Sequence, residues 1–171
     1  MDTLPATHAL SAAEIAPGTR IGHVHLKVAD LDRALLFWRD ILGVRETQRY
    51  GDQAVVLSAG GYHHHIGLNT WESRGGHPPA PGTTGLFHAA VLLPDRAALA
   101  AVVKRVLAAG WPIDGASDHG VSEAIYLRDA DGNGVELYHD RDPAGWPRGP
   151  DGSLAMFTRR LDVAALLRAA G

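Results

Sequence analysis

The 171-residue chain contains no cysteine, which excludes disulfides, zinc knuckles, thiolate-bound clusters and a cysteine nucleophile together. That absence also favours a reducing compartment. No apolar run approaches the ~20 residues that a membrane-spanning helix needs. No Lys/Arg cluster stands out and the net charge is −3, so there is no positive field to recruit nucleic acid. The opening segment, MDTLPATHALSAAEIAPGTR, has neither a basic start nor an apolar centre and does not read as a secretory signal. A cytoplasmic protein is therefore expected. With 46% apolar and 20% charged residues, the composition is that of an ordinary soluble globular domain.

What the chain does have is histidine, ten in all. His63, His64 and His65 stand side by side in GYHHHIGLNTW. Three adjacent imidazoles are costly to bury, and a merely polar surface does not need them. The run asks for a purpose.

The pattern of elements occurs twice. IGHVHLKV (21–28) alternates as a half-buried strand. In the next segment, ADLDRALLFWRDILG, Leu31, Leu35, Phe37, Trp38, Ile41 and Leu42 fall on one helical stripe, with Asp30 as N-cap and Gly43 just past the end. Strand patterns follow at AVVLSA (54–59) and HHHIGLNTW (63–71) around a Gly60-Gly61 turn. After the Pro/Gly-rich SRGGHPPAPGTTG the pattern restarts, with a strand at 85–93, a helix at 94–110, and strands in WPIDGA, EAIYLRD and GVELYHD. The matched Asp32-Arg33-Ala34 and Asp95-Arg96-Ala97, and the paired strand histidines His23 and His88, mark the halves as copies.

The expected fold is α+β. Two tandem βαβββ modules (21–72 and 85–140) form a curved, partly closed sheet around a cup. They are joined by a linker (73–84), preceded by an extension (1–20), and followed by a tail with a C-terminal helix (141–171). That helix packs on the outside or against a partner subunit, and a homo-oligomer is expected from it.

One donor per strand can point into such a cup, because strand side chains alternate faces. His23 on the first strand, His88 on its repeat and Glu136 on the last supply two imidazoles and one carboxylate. That set suits a divalent first-row metal and leaves open positions, as in non-haem Fe(II) oxygenases. Each histidine taken singly reads more readily as a hydrogen-bonded structural residue. Alternation places His25 on the face of His23, as a neighbouring group, a substrate contact or an exchangeable ligand. It also gives His63 and His65 one face and His64 the other. Trp71, Phe87 and Leu68 read first as core, and otherwise as the lining of an aromatic pocket.

IGHVHLKVADLDRALLFWRDILG resembles the opening of a module of the glyoxalase/bleomycin-resistance/extradiol dioxygenase superfamily, the vicinal oxygen chelate proteins. HGVSEAIYLRDADGNGVELY resembles the signature end of the catechol 2,3-dioxygenase type. The resemblance covers residues 20–140. It implies an Fe(II) site, with Mn(II) accepted by the same donors, held by His23, His88 and Glu136. It implies acid–base chemistry at His65, hydrogen bonding from Tyr126 and His119, and substrate contacts from His25, His63 and Trp71. A catechol-type substrate and O2 would be the partners. Two other activities of the superfamily stay open. One is a glyoxalase-like isomerase or epimerase, which would draw a fourth ligand from residues 63–65. The other is a metal-free drug-binding module. The larger ring-cleaving enzymes carry four such modules, whereas this chain has two.

Overall fold

The computed structural model describes residues 14–170, so most of the expected N-terminal extension lies outside the described residues. The first half runs β1 (Val24–Lys27), α1 (Leu31–Leu35), a π-helical turn (Leu36–Ile41), β2 (Arg45–Tyr50), β3 (Ala54–Ser58) and β4 (Ile66–Asn69). The second runs β5 (Ala89–Leu92), α2 (Arg96–Ala108), β6 (Ile113–Asp118), β7 (Ser122–Arg128) and β8 (Gly134–Asp140), and the tail adds β9 (Arg159–Arg160) and α3 (Val163–Leu167). The sheet orders are β1-β4-β3-β2 and β5-β8-β7-β6-β9. The second order repeats the first with every index raised by four, and β1–β4 and β5–β8 are the parallel pairs in each. The two expected βαβββ modules are thus two mixed sheets, each with its own helix.

Local chemistry explains where the helices begin and end. The Asp30 carboxylate accepts from the Arg33 N–H at 2.8 Å, and Asp95 repeats the cap on Ala98 N–H at 2.8 Å. Gly43 closes the first helix at φ 83°, a conformation that suits glycine. Between cap and close, the helix widens into a π turn, with Leu42 N–H bonding Phe37 C=O at 2.9 Å. The wider turn lets the consecutive bulky residues Phe37 and Trp38 both face inward, each at 0% exposure. The whole predicted stripe is buried.

Two expectations are corrected. His63–His65 are not in a strand: β4 begins at Ile66, so His63 and His65 share no strand face, and the triplet forms the turn that enters β4. Only His65 continues the ladder through its backbone, its N–H on Leu57 C=O (2.8 Å) and its C=O on Val24 N–H (3.0 Å). Trp71 and Phe87 are 60% and 87% exposed, so they are not core, unlike Leu68. The tail helix packs on α2 of its own chain, burying Leu166 completely. Its apolar face is therefore used within the chain. A strand that alternation did not reveal, β2, is exposed at all six positions and carries no apolar periodicity.

The halves are pinned crosswise. The turn between β7 and β8 reaches the first helix: Asp131 Oδ1 accepts from Ala29 N–H (3.0 Å), Ala130 C=O accepts from Arg33, and Asp129 Oδ2 accepts from the buried Trp38 indole (3.4 Å). In the other direction, Arg105 of α2 bonds Leu42 C=O.

Candidate active site

β8 alternates with Val135, Leu137 and His139 buried, leaving Gly134, Glu136 and Tyr138 on the opposite face. Tyr126 on β7 is the direct cross-strand partner of Glu136, and Ala90 on β5 faces it from the other side. His88, two residues before Ala90, therefore projects to the same face. The result is one connected chain of groups. His88 Nε2 lies 2.9 Å from Glu136 Oε2. Tyr126 O–H donates to Glu136 Oε1 at 3.0 Å, and the phenol oxygen lies 2.7 Å from His119 Nε2. His119 Nδ1 is 3.1 Å from the Phe157 carbonyl. Burial, followed by the charge and hydrogen bond of Glu136, pushes the Tyr126 phenol up to about 12. Phe87, His88, Tyr126 and Arg128 border a cleft of about 290 Å³.

Two converging donors about 3 Å apart match neighbouring positions in the shell of one divalent ion, given metal–ligand bonds of about 2 Å. His88 Nδ1 is buried without a hydrogen-bond partner, so this ring is not committed to a structural bond on that side. The pair fits a metal, but the third expected donor is elsewhere. His23 packs its ring on His64 at 4.4 Å. It lines a separate crevice of about 330 Å³ with His65 and residues 89–92 of β5. Among the described residues, no three His, Asp or Glu side chains stand in metal-holding geometry.

The remaining sequence candidates lie around His23. His65 Nδ1 accepts from Ala59 N–H at 3.3 Å and meets Ser58 Oγ at 3.1 Å, which leaves Nε2 as its free nitrogen. His63 and His64 meet through their Nδ1 atoms, 2.7 Å apart. Burial and the neighbouring imidazoles His23 and His63 lower the pKa of His64. The ring of His25 is seated by residues that pattern reading missed. Asn69 Oδ1 accepts from Trp71 N–H (3.2 Å), so its Nδ2 donates to His25 Nε2 (3.0 Å). The ring lies flat on Gly67, where an added Cβ would stand 2.8 Å from the imidazole carbons, and the Trp71 ring is 5.5 Å away. Asn69 was foreseeable as a polar residue in a buried strand. Phe157 gave no signal, being a tail residue far from any motif.

The model of the Glyoxalase/Bleomycin resistance protein/Dioxygenase superfamily matches residues 20–137, and the chain belongs to that superfamily. A curated relative, the catechol-2,3-dioxygenase of Bacillus subtilis (strain 168), is 39% identical over 154 residues, which are 90% of this chain and 53% of that protein. The chain spans about half the length of that relative. Among solved structures, a glyoxalase/dioxygenase from Nostoc punctiforme aligns with a TM-score of 0.62 and 19% identity, over 78% of this chain and 100% of that one. A lactoylglutathione lyase from Agrobacterium tumefaciens aligns at 0.55 and 25% identity, over 72% and 96%.

No helix among the described residues is long and apolar enough to cross a membrane.

Proposed function

We propose that the protein is an extradiol ring-cleaving dioxygenase that opens a catechol-type substrate with O2 at a mononuclear Fe(II) site. The observation that carries this reading is the unbroken run His88–Glu136–Tyr126–His119, in which a metal-type donor pair is joined directly to a phenol and an imidazole. The likeness to the Bacillus relative named catechol-2,3-dioxygenase points the same way.

His88 and Glu136 would hold the metal, with His23 as third donor once its ring turns away from His64. Bound Fe(II), or Mn(II) at the same donors, supplies the positive charge that acidifies a chelated catechol hydroxyl and the redox centre for O2. The chain's own groups handle the protons. His65, whose Nδ1 accepts from Ala59 N–H, carries the proton of its neutral ring on Nε2, so it gives that proton to a substrate oxygen and later takes it back, as imidazole can near neutral pH. Tyr126 directs its hydroxyl at the Glu136 oxygen and at substrate oxygen approaching it. His119 supports Tyr126 from behind and stabilises developing negative charge. His25, His63 and Trp71 contact the substrate from the other side of the cup.

The test is to load protein purified without oxygen with Fe(II), add a panel of catechols and oxygen, and follow the yellow ring-opened product. His65→Ala is expected to keep its iron and lose turnover by about 10²- to 10⁴-fold, the usual range for a lost acid–base group. Loss of iron from that variant instead would favour the isomerase chemistry, in which the triplet contributes a ligand. Colourless mixtures with every catechol tried, from protein that holds one iron, would overturn the dioxygenase reading.

A further inference from the structure

The match to the superfamily ends at residue 137, yet the most closely held imidazole of the site is fastened by what comes after. Past β8 the chain turns back at Gly149–Gly152 and returns antiparallel to the segment that ends in His119. Phe157 N–H bonds His119 C=O (3.3 Å) and Phe157 C=O faces His119 Nδ1 (3.1 Å), so one residue grips both the backbone and the ring. The Thr158 hydroxyl lies 3.3 Å from the same Nδ1.

The grip is shaped on both sides. Gly120 adopts φ 79°, and a Cβ there would stand 2.7 Å from the Phe157 ring and 2.8 Å from Pro147, so the β6–β7 turn bearing His119 is pared down to admit the phenyl group. Arg159 covers the ring from the other side at 4.2 Å. The returning segment is then anchored. Arg159 and Arg160 pair with Asp118 and Ser117, Leu161 is buried, and Arg96 bonds Ala165 C=O at 3.2 Å.

A carbonyl oxygen only accepts, so Nδ1 must carry a proton for the Phe157 contact to be a hydrogen bond. With Nδ1 committed, Nε2 of the neutral ring can only accept, so the single Tyr126 proton is shared between Nε2 at 2.7 Å and Glu136 Oε1 at 3.0 Å. We propose that the tail segment 147–160 is a positioning strap for the active site, in which Phe157 and Thr158 fix the tautomer and direction of His119 so that its Nε2 serves Tyr126. Phe157 and Thr158 are positioning residues, since they act through His119. The catalytic consequence rests on the dioxygenase reading; the tautomer does not.

The experiment uses the full chain without metal or substrate, and reads imidazole nitrogens by long-range ¹H–¹⁵N spectroscopy, with His119→Gln to assign the ring. Wild type is expected to show a protonated, slowly exchanging Nδ1–H. In Phe157→Ala and in Thr158→Val, that proton should exchange at least tenfold faster, with circular dichroism unchanged. Phe157→Leu should restore it. In the iron-loaded enzyme, kcat of Phe157→Ala should fall about tenfold with KM within twofold, and the same change in the His119→Gln background should cost nothing further. An Nδ1 that is unprotonated in wild type, or exchange unaffected by both variants, overturns the strap. If the exchange responds as expected but wild type opens no catechol, the strap stands and the dioxygenase reading falls.

Discussion

Gly67→Ala separates the seat of His25 from the stability of the fold. Gly67 is buried in β4 with ordinary backbone angles, so alanine meets no conformational barrier there. The nearest neighbours of the new methyl are His25 Cδ2 and Cγ at 2.8 Å and Nδ1 at 3.1 Å, against ordinary contacts of about 3.5–4.0 Å. His25 must shift by close to an ångström, which breaks its bond to Asn69. The buried amide then lacks an acceptor, which costs about 1–3 kcal/mol. Restricting the unfolded chain returns about 0.4–1 kcal/mol. The expected net destabilisation is about 1–2 kcal/mol, measured by urea unfolding. If His25 contacts the substrate, the Michaelis constant should rise about 3- to 10-fold, the equivalent of about 1 kcal/mol. Stability and Michaelis constant both equal to wild type would show that His25 does not rest on Gly67. A loss above about 4 kcal/mol would show that the ring cannot leave.

Gly134→Ala should behave in the opposite way, because its Cβ would meet backbone, Phe87 C=O at 2.1 Å; β5 must part from β8 beside Glu136, and loss of soluble expression or of iron binding, measured by metal analysis, is expected. Glu123 is 8% exposed and bonded to Arg96 (2.7 Å), His139 (3.2 Å) and Arg141 (3.1 Å). Burial alone would raise its pKa, but these three partners hold it below the usual carboxylate value. A depressed folded-state pKa gives stability that is present above about pH 4.5 and lost as the pH falls through the folded value. Acid unfolding followed by circular dichroism should therefore be shallower in Glu123→Gln than in wild type, from a start about 3–5 kcal/mol lower at neutral pH, since removing one partner strands buried charge.

Much of the fold could be read from the chain because its local signals agree. Asp30 and Gly43 mark the ends of the first helix, and the stripe from Leu31 to Leu42 marks its buried side. Alternation in GVELYHD correctly separates Glu136 from Val135 and Leu137. The pairing of Tyr126 with Glu136 was accessible for the same reason: they are strand neighbours whose faces follow from period two. The first half misled where side-chain pattern and backbone diverge. The histidine triplet has the look of strand, but the glycine turn before it delays pairing until Ile66. β2 carries no buried residue, so burial leaves no trace in its letters. His23 and His88 correspond as repeats, yet position in a repeat does not dictate ring direction, and His64 takes the ring of His23. The hold of Phe157 on His119 is made through a main-chain carbonyl by a tail residue outside any motif, so the pattern of letters does not announce it.

The crosswise pins also bear on how the two copies could diverge. Trp38 belongs to one copy and its acceptor Asp129 to the other, and Arg33 and Ala29 rely likewise on Ala130 and Asp131. After duplication, neither half is free to wander through substitutions alone, because a change in the later turn strands a donor in the earlier helix. Descendants of this chain should alter positions 38 and 129 together or not at all, and the doubled gene should be inherited as a single unit rather than as two exchangeable parts.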